Sequence, residues 1–424
     1  MHRDHLWISS RTWIATAAVI TIVACVSLSS PRGGGGAANV PVVRSTLKSG
    51  AEQQVRIALE TAAKSGTISG TGPWGIVHGD AGQQIGAMAE LPLSFDATRI
   101  GEITTEMGPV TAETEPGTFL IWNGKKYRGT IIITRTDSGF LVVNSLAMDS
   151  YLRGVVPLEI GSRTSAEFAA VQAQAVAART YAYKHLTSSR AFDMYSTVQD
   201  QVYGGVDAEK PQSDSAIATT ADVVVLYNGQ PITTPYHSTC GGSTAGVSEV
   251  WYDQPDQPYL RPVSDRIPGT DNFYCDSSPR FSWTQSYDAA GLRAVMEKYL
   301  ATYTRAPRNG VGRITDIREQ GRTPSGRIAA LTVQTESGSY TLRGNDIRFV
   351  LRDPKGAILN STYFSFTKET SGVEVSSLNV NGRGYGHGIG MCQWGAIGRA
   401  RTGQNYRTIL ETYYPGTTIG RIAG

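Results

Sequence analysis

Runs of alternating hydrophobic and polar residues dominate the chain between its N-terminal segment and residue 150. Five such runs, separated by Gly- or Asp-rich breaks, lie between residues 52 and 150: VRIALE, GTISGTG, GTFLIWNG, YRGTIIITRT and GFLVVNSL. Alternation with a period of two is typical of β-strands that bury one face. The pattern therefore predicts a β-rich N-terminal part over residues 51–145.

A long Ala-rich segment follows and predicts a buried helix: EFAAVQAQAVAARTYAYKHL. Thr164 and Glu167 have the spacing of a capping box at its start, so we expect Glu167 to be a capping residue. Strand-like runs return in DVVVLYNGQ and PITTPYHST and over residues 310–367, before a short helical piece, YRTILETYYPGTTI. Strands on both sides of a central helix predict an α+β fold, with β-rich modules around the Ala-rich helix.

The N-terminal segment has the composition of an export signal. Arg3 and Arg11 flank a polar start, and the apolar run TWIATAAVITIVAC follows. That run is shorter than the roughly 20 apolar residues that a bilayer-spanning helix needs. It ends in Ile22-Val-Ala-Cys25, which matches a lipoprotein signal over residues 1–25 with Cys25 as the lipidated residue. An ordinary cleaved signal and an uncleaved membrane anchor are the alternatives.

Residues 26–50 predict a flexible tether, because they contain the stretch SLSSPRGGGGAANVP. A tether after a lipidated cysteine would hold the folded part at a distance from a membrane. We therefore expect an exported, membrane-anchored protein that faces the cell wall or the periplasm.

The charge balance limits the partners that the chain can be expected to bind. Its 424 residues carry 39 basic and 36 acidic side chains, a net charge of +3. So balanced a composition lacks the basic excess typical of nucleic-acid-binding proteins, and we expect no nucleic-acid partner. The motif GRGYGHG is too rich in aromatic and His residues for a phosphate-binding loop, and no GxxxxGK(S/T) motif occurs.

Three cysteines remain once Cys25 is assigned to the signal segment: Cys240, Cys275 and Cys392. An exported compartment permits disulfides, and we predict a bond between Cys240 and Cys275, with Cys392 free and buried. The alternative is a zinc site formed by His237, Cys240, His387 and Cys392. Because no CxxC pair supports such a site, we expect no cofactor.

A single acidic residue, Glu159, ends the apolar run in the segment YLRGVVPLEIGSR. An apolar setting disfavours the charged form of a carboxyl group and raises its pKa, which suits a general acid. The structural alternatives are that Glu159 caps the next helix or pairs with Arg153 or Arg179. The residues alone leave both interpretations open.

Several ordered motifs resemble those of the SpoIID/LytB family. They include YLRGVVPLE (151–159), VQAQAVAARTY (171–181), QVYGG (201–205), HSTCGG (237–242), GYGHG (384–388) and GMCQWGA (390–396). The resemblance extends over residues 51–420, which comprise the β-rich N-terminal part, a core over 146–300, a β-rich insertion over 308–370 and a C-terminal motif over 380–420. Many relatives have Glu-Met-Pro where this chain has Glu159-Ile160-Gly161, so we expect a different local loop.

The resemblance implies a substrate cleft and a lytic transglycosylase that acts on peptidoglycan glycan strands stripped of their stem peptides. The family's catalytic acid falls on Glu159. In that reaction the 6-hydroxyl of the muramic sugar attacks its own anomeric carbon, so one carboxyl group serves as acid and then as base, whereas glycoside hydrolysis uses two. The products would end in 1,6-anhydromuramic acid.

Residues in the same motifs are candidates for binding substrate or supporting Glu159: Arg179, Tyr181, Gln201, Tyr203, His237, His387 and Gln393. Tyr203, Trp251, Tyr385 and Trp394 could stack on sugars, although aromatic residues beside Gly often belong to a core. Arg179 could instead form a structural ion pair, and each His could only support a Gly-rich turn.

The resemblance also implies a second kind of function. LytB-type relatives are described as stimulating a wall amidase, so the chain could be a glycan-binding protein with little or no catalysis of its own. A wall amidase or another cell-wall enzyme would then be its partner.

Overall fold

The computed structural model describes residues 41–43, 47–96, 99–100, 103–104 and 108–422. The predicted signal over residues 1–25, with Cys25, lies outside the described residues, as does most of the predicted tether over 26–50. Across the described part of the chain, no helix is both long enough and apolar enough to span a membrane.

The strands, numbered in chain order, are β1 (Val42–Val43), β2 (Gln54–Ala63), β3 (Ser65–Gly70), β4 (Trp74–His78), β5 (Ala81–Ile85), β6 (Leu91–Ser94), β7 (Arg99–Ile100), β8 (Ile103–Thr104), β9 (Val110–Thr114), β10 (Leu120–Trp122), β11 (Lys125–Tyr127), β12 (Thr130–Thr136), β13 (Gly139–Ala147), β14 (Met194–Tyr195), β15 (Val223–Tyr227), β16 (Gln230–Pro231), β17 (Tyr236–His237), β18 (Ser282–Asp288), β19 (Ile314–Glu319), β20 (Ala330–Thr335), β21 (Gly338–Arg343), β22 (Phe364–Ser371), β23 (Glu374–Arg383), β24 (Met391–Cys392) and β25 (Thr418–Ile422).

The α-helices are α1 (Met148–Ile160), α2 (Phe168–His185), α3 (Pro211–Thr219), α4 (Val247–Val250), α5 (Ala289–Tyr303), α6 (Asp346–Val350), α7 (Gln393–Arg401) and α8 (Tyr406–Tyr413). Short 3-10 helices cover Ser165–Glu167 and Val206–Ala208. Helices and largely antiparallel sheets alternate irregularly along the chain, which confirms the predicted α+β class.

The described N-terminal part forms two larger sheets, in the orders β14-β2-β13-β12-β9-β4-β5 and β11-β10-β3-β6, and the strand pair β7-β8. A third sheet, β1-β25-β15-β16, joins the two ends of the described chain, and β17 pairs with β24 in parallel. The sheets β18-β23-β22 and β19-β20-β21 lie within residues 282–383.

Two large hydrophobic cores among the described residues hold most of these elements together. The first core takes its residues from 55–275 and 389–422, and the second takes its residues from 287–380 only. The second core is therefore inserted in sequence between two parts of the first. Helix α2 lies in the first core and contacts α1, α3, α7, α8 and β15. Its alanines leave room for such close neighbours on several sides, as expected of a helix that is apolar all round.

The apolar run that ends at Glu159 is helix α1, which the run did not predict. Its buried residues Met148, Tyr151, Leu152, Val155 and Val156 recur at the spacing of one helical face. Two adjacent valines, Gly154 and Pro157 are poor helix formers, so packing of that face outweighs local propensity. Gly161, with φ of +72°, ends the helix and donates its N–H to the Pro157 carbonyl at 3.0 Å.

Candidate functional site

Glu159 lies in the last turn of α1, where its side chain is half-buried. Its Oε1 accepts a hydrogen bond from the Val202 N–H at 3.3 Å. Burial is the largest influence on the Glu159 carboxyl and raises its pKa above the ordinary value of 4.5. Hydrogen bonds from Val202, Gln393 and Tyr236 favour the carboxylate and act in the opposite direction on the pKa. Glu159 therefore has uncharged donors around it, in a setting that favours the protonated form.

Neither arginine that could have paired with Glu159 does so. Arg153 faces Asp214 at 3.9 Å, and Arg179 faces Asp149 at 3.2 Å. The cap at the start of the next helical segment belongs to Glu167, whose Oε2 accepts the Thr164 N–H at 2.8 Å, as the sequence predicted. Among the described residues, no ion pair includes Glu159. The structure therefore supports none of the structural roles that the sequence left open for this acid.

Arg179 is a structural residue and not a neighbour of the acid. Its side chain has no exposed surface, and its guanidinium donates to the carbonyls of Thr220 and Ile217 at 2.9 and 3.1 Å as well as to Asp149. These contacts fix α2 against α1 and α3. The expectation that Arg179 orients Glu159 or holds a substrate group is wrong, because its hydrogen-bonding capacity is used inside the core.

A chain of side-chain hydrogen bonds leads from the core to Glu159. The Tyr151 hydroxyl donates to Gln201 Oε1 at 3.1 Å, and Gln201 Nε2 donates to the Tyr236 hydroxyl at 2.9 Å. The Tyr236 hydroxyl in turn faces Glu159. Gln201 is buried and positions Tyr236, which fits support of Glu159 better than direct binding of a substrate.

Tyr181 and Tyr203 have different surroundings. The Tyr181 hydroxyl donates to Asp200 Oδ1 at 2.9 Å, and the pKa of Tyr181 is raised mainly by burial, with Asp200 and Glu159 as charged neighbours. Tyr203 packs its ring on Tyr151, with 5.2 Å between ring centroids. Tyr181 therefore belongs to the surroundings of Glu159, whereas Tyr203 is a core residue and does not present its ring to a sugar.

Both predicted histidines are tied to the backbone of the segment that carries GYGHG. His237 Nδ1 lies 3.1 Å from the Ile389 carbonyl, and His387 Nε2 lies 2.9 Å from the Tyr236 carbonyl. The Ile389 N–H donates to His387 Nδ1 at 3.0 Å, which makes His387 a neutral imidazole. Burial lowers the pKa of His387 to about 4. This histidine supports the turn and holds the strand that carries Tyr236.

Gln393 begins α7 and connects Glu159 with α2. Its Nε2 donates to Gln174 Oε1 at 3.2 Å. The guanidinium carbon of Arg163 lies 5.1 Å from the ring centroid of the next residue, Trp394. The ring centroids of Trp251 and His387 are 5.5 Å apart. Gln393 thus contacts the acid, and its role towards a substrate stays a prediction.

Sequence reasoning missed Tyr236 and Val202 as neighbours of Glu159 and Asp200 as the partner of Tyr181. Tyr236 directly precedes the HSTCGG motif, and Asp200 and Val202 flank Gln201 in the motif QVYGG. Adjacency to recognised motifs was the one available signal, because all three contacts depend on tertiary packing.

The three described cysteines come together in the core. Cys240 Sγ lies 3.5 Å from Cys275 Sγ and 3.5 Å from Asp265 Oδ2, and all three thiols are free and buried. The bond between Cys240 and Cys275 stays a prediction. The alternative zinc set differs from what the structure shows: Cys240 and Cys392 lie with Asp265 and Cys275, and His237 and His387 lie outside this group.

Comparison with known proteins agrees with the motifs. The family described as stage II sporulation protein (SpoIID) matches residues 136–227, which include Glu159, and a domain of unknown function (DUF8618) matches residues 267–390. Stage II sporulation protein D of Bacillus subtilis is 29% identical over 294 residues, or 65% of this chain and 75% of that protein. Residues 136–227 thus match the SpoIID family, and the chain is similar over most of its length to SpoIID and amidase-enhancer proteins.

Two further relatives show how much of the chain aligns with known proteins. The amidase enhancer of Bacillus subtilis is 33% identical over 290 residues, which are 63% of this chain and 40% of the enhancer. An uncharacterized protein of Brachyspira hyodysenteriae is 29% identical over 373 residues, which are 86% of this chain and 92% of that protein. The chain therefore spans less than half the length of the amidase enhancer and nearly all of the Brachyspira protein.

Proposed function

We propose that this SpoIID/LytB protein is an exported peptidoglycan lytic transglycosylase in which Glu159 is the single acid and base. The observation that carries the proposal is the setting of Glu159: a half-buried carboxyl with a raised pKa, hydrogen-bonded by neutral groups and without an ionic partner in the described part of the chain. A carboxyl group in such a setting can hold a proton and release it to a substrate.

The reaction has two steps at this one residue. Protonated Glu159 gives its proton to the glycosidic oxygen as the bond from the anomeric carbon to that oxygen breaks. The 6-hydroxyl of the same muramic sugar then attacks the anomeric carbon and returns its proton to the Glu159 carboxylate. No water enters, the enzyme ends in its starting state, and the new end is a 1,6-anhydromuramic acid.

Neighbouring residues would assist by position. Tyr236 and Gln393 hydrogen-bond the carboxylate that forms when Glu159 loses its proton. Tyr181 is held by Asp200, both of whose oxygens accept hydrogen bonds, from the Tyr181 hydroxyl at 2.9 Å and from the Tyr195 N–H at 2.8 Å. Asp200 thus serves to position Tyr181 and not as a second reacting carboxylate. The half-buried Trp394, next to Gln393, is a candidate to line the substrate cleft.

The experiment is incubation of the purified protein with peptide-free glycan strands, followed by measurement of soluble fragments released over time. Release by the wild-type chain and its loss in Glu159→Gln would support the proposal. Intact strands after incubation with the folded wild-type protein would reject it.

A second candidate function rests on the 33% identity to the amidase enhancer. In this alternative the chain binds glycan strands and stimulates a wall amidase, anchored to the membrane through Cys25. Amidase turnover on whole wall, with and without the chain, tests it. Stimulation that is equal for wild type and Glu159→Gln, with no strand cleavage by either, would favour this function over the first.

A further inference from the structure

We propose that Cys240, Asp265, Cys275 and Cys392 form a structural zinc site. Their ligand atoms, three Sγ and one carboxylate oxygen, all lie within 4.8 Å of one another, and all four residues are buried. Three sulfurs with one oxygen are a donor set that suits zinc, and a closed set of four protein ligands is typical of structural zinc sites. The inference is independent of the proposed catalytic function.

The spacing of the ligand atoms fits a tetrahedral ion. Two sulfurs about 2.3 Å from one zinc lie about 3.8 Å apart at a tetrahedral angle. Cys240 Sγ lies 3.5 Å from Cys275 Sγ and 3.5 Å from Asp265 Oδ2, which is close to that ligand-to-ligand distance. A disulfide brings its sulfurs to about 2.05 Å and leaves the third cysteine and the aspartate without a function.

Backbone amides donate to two of the three sulfurs. Cys392 Sγ accepts the N–H groups of Cys240 and Gly395, both at 3.2 Å, and Cys240 Sγ accepts the N–H of Gly242 at 3.4 Å. Gly241 and Gly242 have φ values of +76° and +118°, which let the chain turn its amides towards the cluster. Amide donors around metal-bound sulfur are an outer shell that stabilises its negative charge.

The carboxylate also has an outer shell. Asp265 Oδ1 accepts the Tyr413 hydroxyl at 2.6 Å and the Arg399 guanidinium at 3.3 Å, so Oδ2 is the oxygen left for the cluster. Hydrogen bonds of this kind fix the orientation of a ligating carboxylate. Three thiolates and one carboxylate carry more negative charge than the neighbouring Arg399 and Arg327 supply, and buried charges require compensation, so a further cation is needed.

The site would hold the segments that supply partners to Glu159. Cys392 pairs with His237 in the register of β17 and β24, and Tyr236 and Gln393 are their direct neighbours in sequence. Zinc bound here would tie the loops of Cys240 and Cys275 to the start of α7. Binding would release thiol protons to water, so zinc affinity should rise with pH.

The test is metal analysis of the full chain after equilibration with zinc chloride and dialysis. We expect about one zinc per chain, protection of three thiols from alkylation, and thiolate-to-metal absorption after cobalt replaces zinc. Cys275→Ser and Cys392→Ser should lose the metal, whereas the control Cys25→Ser, which removes the fourth cysteine of the chain, should keep it.

Asp265→Cys keeps the test decisive where a serine variant fails to fold. A zinc ligand can be exchanged for another, so this variant should retain about one zinc per chain, and Asp265→Ala should bind it at least 10-fold more weakly. Folded wild-type protein without zinc would overturn the proposal. This holds both if its thiols react with the alkylating reagent and if a mass lower by two hydrogens shows a disulfide. Equal zinc content in the two serine variants and the wild type would place the metal elsewhere and overturn it as well.

Discussion

Two carboxyl groups, Glu159 and Asp265, both have a raised pKa, but they lie in very different surroundings. Burial raises the pKa of both, that of Asp265 to about 8. Asp265 has no exposed surface and is enclosed by Arg399, Tyr413 and the cysteines. Glu159 is half-buried at a helix end, and its hydrogen-bond partners are neutral.

The comparison shows that a raised pKa does not by itself identify a catalytic acid. A group that exchanges protons with a substrate must also be accessible and free of a fixed ionic partner. Glu159 meets both conditions, and Asp265 meets neither. The four predictions that follow test this difference, beginning with the largest expected effect.

Replacing Glu159 by Gln should abolish most strand cleavage while the fold survives. General acid–base catalysis contributes about 100- to 10,000-fold, and we expect a loss near the upper end because one group serves both steps. Burial disfavours the ionised form, and ionisation of Glu159 costs stability as pH rises through its raised pKa. The Gln variant should therefore unfold in urea no earlier than wild type at neutral pH.

The matched control is Glu167→Gln, which removes a carboxylate that caps the following helical turn and pairs with Arg401 at 2.6 Å. This variant should lose stability and keep its cleavage rate per folded molecule. Equal rates for wild type and Glu159→Gln would remove Glu159 from the mechanism.

Replacing Arg179 by Met should destabilise the protein without changing the pH dependence of cleavage. The change removes the guanidinium donor from the carbonyls of Thr220 and Ile217 and leaves Asp149 without its ion-pair partner. Loss of such a buried network costs on the order of 3 kcal/mol of unfolding free energy, measurable by urea denaturation. Arg153→Met, which removes a looser and more exposed pair, should cost about 1 kcal/mol or less. A shifted pH profile in the Arg179 variant would show that this residue acts on Glu159 after all.

Replacing Tyr236 by Phe should move the pH profile of cleavage upwards. The Tyr236 hydroxyl favours the ionised form of Glu159, so its removal raises the Glu159 pKa further. Activity requires the protonated acid and is lost as pH rises through that pKa; the loss should therefore occur at higher pH in the variant. Tyr203→Phe is the control, because that hydroxyl donates to Asn144 and has no contact with Glu159. Identical profiles for the two variants would contradict the assignment.

The smallest effect concerns His387 and the stability of its turn. Its pKa is lowered from 6.5 to about 4 in the folded protein, so the unfolded chain takes up a proton first as pH falls. The stability that the neutral His387 contributes is present above pH 6.5 and is lost as the pH falls towards 4. His387→Gln should reduce the drop in melting temperature over that range, and His78→Gln on β4 should not. The same drop in all three proteins would argue against a neutral His387.

The sequence predicted those parts of the fold and site that have a local signal. The alternating runs became strands β2, β3, β12 and β13, and the Ala-rich segment became α2. Helix α1 was missed because its valines, glycine and proline oppose helix formation, and only packing against α2 and α3 compensates.

The cysteine cluster could not be predicted, because its ligand atoms come from four separated positions, 240, 265, 275 and 392, with no local spacing. The two histidines of the alternative zinc set lie outside this cluster for a related reason. Local spacing placed His237 beside Cys240, but the ring nitrogens of His387 are both occupied by backbone groups. Arg179 was misplaced because a helical position does not reveal which neighbouring carboxylate lies within reach.

The most direct test of the account is the mass of the fragments released from peptide-free glycan strands in heavy-oxygen water. Attack by the sugar's own 6-hydroxyl predicts fragments that are one water lighter than hydrolysis products and that carry no heavy oxygen. Glu159→Gln should release almost none of these fragments. Reducing ends that contain heavy oxygen would show that water is the nucleophile, and they would contradict the assignment of Glu159 as the single acid and base of an intramolecular transfer.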